Sequence, residues 1–105
     1  MSKKEEQTKE MLMHLAGEYL TREAGLQSLI TVTRSEISPD LKNITIFISV
    51  FPESADEPAL AFCKRERSNF RDYVKEKSAF QFPPTIDFEL DIGEKNRQRI
   101  DELTR

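Results

Sequence analysis

The chain has 105 residues, 16 Lys and Arg against 19 Asp and Glu, and a net charge of −3. That length fits one domain with one core, taken here as residues 1–105 with 1–4 and 104–105 expected to fray. A net negative balance argues against a protein that coats nucleic acid indiscriminately, but not against a local basic patch, because only charge within about a Debye length acts strongly on a phosphate.

The apolar runs are too short to span a membrane. MSKKEEQTKE has no apolar stretch behind its lysines, so it does not read as a secretory signal. One cysteine, Cys63, cannot make an internal disulfide, and the cytoplasm is the default compartment.

The first periodic segment runs from about Lys4 to Glu23. Thr8, Met11, Leu12, Leu15, Ala16 and Tyr19 share one side of a helix, with Glu10, His14, Gly17 and Glu18 opposite. Gly25 is suited to stop it. Residues 29–37, LITVTRSEI, are rich in β-branched side chains, and Ser38-Pro39-Asp40 marks a turn. NITIFISVF, residues 43–51, alternates: Ile44, Ile46, Ile48 and Val50 face one way, Asn43, Thr45, Phe47, Ser49 and Phe51 the other. The two strands read as an antiparallel hairpin.

An acidic connection, Pro52 to Pro58, leads into a helix that starts near Asp56 to Ala59 and extends toward Lys77, with Pro58 suited to its first turn. Pro83-Pro84 ends anything helical. Residues 85–92, TIDFELDI, alternate again, with Ile86, Phe88, Leu90 and Ile92 inward and Thr85, Asp87, Glu89 and Asp91 outward. EKNRQRIDELTR is a candidate terminal helix. The order predicts a two-layer α+β domain: a three-stranded mixed sheet covered on one face by helices, with the last strand parallel to a neighbour.

The central helix cannot be one straight rod. On a 100° wheel Leu60, Cys63, Phe70 and Val74 form the buried arc, and Arg67 falls inside it. A buried unpaired arginine is very costly, so a break near Glu66 to Asn69 is expected, where Ser68 and Asn69 are good turn or cap residues.

That junction lies within KRERSNFRDYVK, residues 64–75, which carries five bases and two acids, leaving −6 for the other 93 residues. Lys64, Arg65, Arg67 and Arg71 have no acid three or four residues away; only Lys75 has one, Asp72. Lys64–Arg67, Arg67–Arg71 and Arg71–Lys75 are like-charge neighbours, each costing roughly 0.2–0.5 kcal/mol. A solvated surface gains nothing from this, whereas a phosphate-contacting one does through counterion release. Helix N-terminal N–H groups at a kink would add to an anion site.

The layout helix–strand–strand–helix–kink–helix–strand is that of a type II KH domain. Residues 32–49, VTRSEISPDLKNITIFIS, closely resemble the ribosome-binding factor A family, which has a Val-Thr strand, a Ser-Pro-Asp-Leu turn and a second strand ending in a Val/Ile-Ser pair. Arg99-Ile100-Asp101-Glu102-Leu103 resembles its Arg-Ile-Asp-Glu-Leu ending, and Phe70-Arg71 its Phe-(aliphatic)-Arg region. The resemblance spans about residues 4–105. It implies a KH-like fold and a non-enzymatic job: binding the small ribosomal subunit and its ribosomal RNA during maturation. Members replace the usual KH loop with an Ala-x-Gly kink; this chain has Glu66-Arg67-Ser68 there.

The resulting expectation is that Lys64, Arg65, Arg67, Arg71 and Lys75 contact ribosomal RNA backbone, that Ser68 and Asn69 add hydrogen bonds, and that Lys3 and Lys4 contribute weakly. The protein would act as a cytoplasmic monomer without cofactor or metal, with ribosomal proteins as further partners. Asp87, Glu89 and Asp91 repel RNA, which places the RNA surface on the helix side, away from the last strand. The rival reading is a protein-interaction module of the same fold whose acidic strand face meets a basic protein. Phe47 and Phe51, on the less buried face, are placed under a terminal segment rather than against bases. His14 reads as a surface residue, Cys63 as a core thiol, and no catalytic or metal-binding motif is present.

Overall fold

The computed structural model describes residues 3–24 and 29–93. Along the chain come α1 (Lys3–Glu23), β1 (Leu29–Ile37), β2 (Asn43–Phe51), a short 3₁₀ turn (Glu53–Ala55), α2 (Asp56–Arg65), α3 (Arg67–Lys77) and β3 (Thr85–Leu90). Gly25 and the candidate terminal helix with its RIDEL sequence lie outside the described residues.

The sheet order is β1-β2-β3, with β1 antiparallel and β3 parallel to the central β2. Short polar turn chemistry suits the first connection and a helical crossover the second. In the hairpin turn the Ser38 hydroxyl donates to Asp40, while the Asn43 N–H donates to Ser38 Oγ at 3.0 Å and the Lys42 N–H to Asp40 Oδ1 at 3.0 Å. Leu41 takes φ 61° to close the turn. β3 is fastened at both ends: the Thr85 N–H donates to Lys42 O and the Asp91 N–H to Ile48 O, each at 2.8 Å.

The alternation of β2 is observed: Ile44, Ile46, Ile48 and Val50 are buried. β1 is less regular. Its register slips between Val32 and Arg34, so Thr33 is an extra residue, a β-bulge. Ile30 is buried before the bulge and Ser35 after it, a phase change that simple alternation would not allow. The helices bury Leu12, Leu15, Ala16, Tyr19 and Leu20 from α1, Ala59 and Cys63 from α2, and Phe70, Tyr73 and Val74 from α3. Leu60, expected in the buried arc, is only half-buried.

An aromatic chain links the layers. Tyr19 and Phe70 lie 5.5 Å apart by ring centroids, Tyr19 and Tyr73 5.2 Å, and Phe70 and Phe88 5.9 Å. Tilted pairs at such distances contribute beyond their buried area.

β3 stops at Leu90, short of the expected Ile92; Ile92 is exposed, and Asp91 is buried rather than outward-facing. The Thr33 hydroxyl donates to Asp91 Oδ2 at 2.6 Å, and Arg34 Nε lies 3.5 Å from the same oxygen. The bulge is what points Thr33 at this carboxylate.

Candidate nucleic-acid interface

The expected break is present. α2 ends at Arg65 and α3 begins at Arg67, with Glu66 between them at φ −88°, ψ 2°. Its N–H donates to Phe62 O (3.0 Å) and Cys63 O (3.1 Å), and its carbonyl accepts the Phe70 N–H at 2.8 Å. The interruption is thus a one-residue deflection inside a continuing ladder, and it resets the phase so that Cys63 and Phe70 stay buried while Arg67 emerges exposed.

The junction is held from the far side by α1. The Tyr19 hydroxyl donates to Glu66 Oε1 at 2.5 Å, and Asn69 Nδ2 approaches Glu66 Oε2 at 3.4 Å. Burial first, and the Glu66 carboxylate second, push the Tyr19 phenol well above its ordinary range.

Two of the predicted cations turn out to have carboxylate partners. Lys64 Nζ lies 3.1 Å from Asp87 Oδ1 and 2.9 Å from Glu89 Oε1; Arg67 Nη1 lies 3.2 Å from Asp87 Oδ1. Arg67 Nε also donates to Lys64 O at 2.9 Å, which satisfies a carbonyl at the end of α2. Asp87 and Glu89 alternate with the buried Ile86 and Phe88 on an edge strand, and the α2 side chain reaches them round the sheet edge.

The expectation that basic helix and acidic strand lie apart is therefore corrected. Asp87 and Glu89 offset two of the three excess positive charges carried by residues 64–75. These side chains are one-third to one-half exposed, so each pair contributes on the order of 0.2–1 kcal/mol. The Glu89 carboxylate, and then Asp87, raise the Lys64 ammonium above its ordinary value against the opposing effect of burial. Burial would raise Asp87, but Lys64 and the Phe88 N–H outweigh it and hold that carboxyl below its usual range.

Arg71 is placed differently again. Its Nε and Nη2 both donate to Pro83 O, at 3.1 and 2.8 Å, which ties α3 to the segment before β3. Arg65 and Lys75 are exposed and have no partner among the described residues, and Asp72 does not bond Lys75 despite its spacing. Ser68 and Asn69 are exposed on the first turn of α3. Lys3 and Lys4 lie at the other end of α1, roughly 22 Å along the axis from Tyr19, and do not join the group.

Sequence reasoning missed Asp87, Glu89, Glu66 and Pro83 as partners. The signal for the first two was present: an acidic alternation on a strand following a helix rich in bases without local acids.

Elsewhere, an open groove between α1 and β1 is lined by His14, Gly17, Glu18, Leu29 and Thr31. His14 is exposed, with Nε2 3.0 Å from Glu18 Oε1. Phe47 is covered by Arg34, whose guanidinium lies 3.7 Å from the ring centroid, while Phe51 is exposed. Among the described residues no three His, Cys, Asp or Glu side chains could together hold a metal ion, and no helix is long and apolar enough to cross a membrane.

The sheet order, the helical crossover and the paired helices α2 and α3 define a KH-like α+β domain. The family model for ribosome-binding factor A matches residues 3–104, and the chain belongs to that family. It is 29% identical to ribosome-binding factor A of Methylobacterium sp. (strain 4-46), over 99% of this chain and 78% of that protein. It is also 29% identical to that of Saccharopolyspora erythraea, over 72% of this chain but only 46% of the relative. The crystal structure of ribosome-binding factor A from Thermus thermophilus superposes with a TM-score of 0.70 at 19% identity, covering 80% of this chain and 91% of that one. A Thermus thermophilus homology model, fitted into a cryo-EM map of a complex between the 30S subunit and ribosome-binding factor A, gives 0.68 at 18% identity over 77% and 88%.

Proposed function

We propose that this chain binds the small ribosomal subunit and assists its maturation as a cytoplasmic, non-catalytic monomer, using the α2–α3 junction to contact ribosomal RNA backbone. Family membership supports the target, as does the 30S complex of the Thermus thermophilus relative. The observation that carries the contact surface is the deflection at Glu66, which presents Arg65, Arg67, Ser68 and Asn69 together on one exposed turn, with Lys75 two turns further along α3. Backbone contact of this kind positions a protein without reading bases; shape and pre-ribosomal context then supply specificity.

Lys64, Arg67 and Arg71 have partners within the fold. Arg65 and Lys75 have none among the described residues, so they are the cations most available to phosphate. The rival reading, a basic protein meeting the acidic strand face, is weakened because Asp87 and Glu89 already hold Lys64 and Arg67.

Co-sedimentation with purified small subunits tests the proposal. Binding should weaken as salt rises, with a log–log slope of about −0.7 to −0.9 per phosphate contacted. Arg65→Glu with Lys75→Glu should release the protein at a salt concentration where wild type stays bound. Equal co-sedimentation by the folded, charge-reversed protein would overturn the assignment.

A further inference from the structure

The ion pairs at the junction have a geometry that goes beyond fastening two elements. Asp87 Oδ1 accepts from both Lys64 Nζ (3.1 Å) and Arg67 Nη1 (3.2 Å), and Glu89 takes a second contact from Lys64 at 2.9 Å. One carboxylate oxygen shared between an ammonium and a guanidinium is how a phosphate oxygen sits between the same two groups. The carboxylates come from an edge strand and remain partly open to solvent. The strand stays in place without these contacts, since β3 is fixed by its ladder to β2 and by the buried Ile86 and Phe88.

We infer that Asp87 and Glu89 are an internal competitor for polyanion: they occupy Lys64 and Arg67 in the free protein, lower its affinity for RNA backbone, and thereby favour release. This rests on the RNA-binding reading above and assigns that site its regulation. A phosphate approaching the junction must displace a carboxylate or accept an unshared approach to Arg65 and Lys75 alone. The attenuation also accounts for the cost of placing Lys64 and Arg67 side by side without local acids: their acids are present, but on a separate element from which the cations can be withdrawn.

The test compares Asp87→Asn/Glu89→Gln with a control that removes the same two charges elsewhere, at the exposed Glu10→Gln/Glu57→Gln. The amide introduced by Asp87→Asn keeps an oxygen for the Phe88 N–H, which donates to the Asp87 carboxylate at 2.9 Å. Each single variant serves if the double one is poorly folded by circular dichroism. With purified small subunits, the junction variant should bind roughly 2- to 30-fold tighter than the control, the range expected from freeing two half-exposed ion-paired cations. Its salt slope should steepen by about 0.7–0.9 for each cation released. Adding Lys64→Gln should cancel most of the gain.

Elution from immobilised heparin reads the same competition without a ribosome, so the inference can be judged even if small-subunit binding fails for wild type. Later elution of the junction variant than of the control supports it. Equal affinity, slope and elution for the two variants would overturn it.

Discussion

Tyr19 of α1 donates its hydroxyl to Glu66, the single residue between α2 and α3, 47 positions further along the chain. This contact connects the first helix to the bend that exposes the basic residues. Tyr19 also packs its ring on Phe70 and Tyr73, so the aromatic core and the junction are set by one side chain.

Tyr19→Phe keeps the ring and removes the hydrogen bond. Glu66 is half-exposed, so the loss should be about 1 kcal/mol, below the full range for bonds to charged groups. For a domain of this size that lowers Tm by roughly 4–8 °C. The phenol's pKa is raised in the folded state, so its contribution is complete below the unfolded value near 10 and is lost as pH rises toward the folded value. Urea titrations at pH 8 and at alkaline pH should therefore show a smaller alkaline loss for Tyr19→Phe than for wild type. Equal losses would show that the phenol does not couple ionisation to folding.

The thiol of Cys63 should be inert in the native protein. It is fully buried, and burial, opposed only by a backbone hydrogen bond, pushes its pKa to about 12 from an ordinary 9.0. At pH 8 the thiolate population falls by roughly 1000-fold, and access is blocked as well. A disulfide reagent should label the protein promptly in guanidinium and only at the rate of opening without it. The sign is that of a raised pKa: the stabilisation is present below pH 9 and declines as pH climbs to 12. Prompt native labelling at pH 8 would show that the α2 core opens readily.

The residues that made the fold legible are those whose pattern has one physical solution. Ile44, Ile46, Ile48 and Val50 alternate against polar neighbours, so β2 could be placed with its buried face. The break at Glu66 was legible because a continuous helix would bury Arg67. β1 was less so: in TVTRSE both faces are semi-polar, and nothing in the composition marks Thr33 as an extra residue or turns it toward Asp91. Asp91 looked outward because the strand was extended two residues too far.

The partners of Lys64, Arg67 and Arg71 could not be found from local spacing. The carboxylates that hold Lys64 and Arg67 lie 20 to 25 residues away, and the Pro83 carbonyl that holds Arg71 lies 12 away. A helical salt-bridge rule covers three or four residues, so it sees the repulsions and misses the compensation across elements.

Acid should loosen the tie between helix and strand. Asp87 has a folded pKa below its ordinary 3.8, so its contribution is present above that value and disappears as pH falls through the lower folded one. Asp40 behaves alike, held low by the Ser38 hydroxyl and the Lys42 N–H in the hairpin turn. Denaturant midpoints measured from pH 5 to pH 2 should fall less steeply for Asp87→Asn than for wild type. Parallel curves would show that the Lys64 and Arg67 pairs are too well solvated to contribute to folding.

Arg71 separates a structural cation from an RNA-contacting one. Two of its N–H groups converge on Pro83 O, and Pro83 is buried. Arg71→Ala leaves that carbonyl without its guanidinium, a loss of roughly 1–3 kcal/mol, and Arg71→Lys recovers little because one ammonium cannot reproduce the fork. Arg65→Ala and Lys75→Ala, at exposed positions, should change stability by less than about 0.5 kcal/mol while weakening small-subunit binding. Thermal unfolding of the four variants beside their co-sedimentation sorts the stretch: Arg71 should move the first measurement more than the second, Arg65 and Lys75 the reverse. If Arg71→Ala kept its Tm but lost subunit binding, the contact with Pro83 would be incidental and Arg71 would belong with the RNA-facing group.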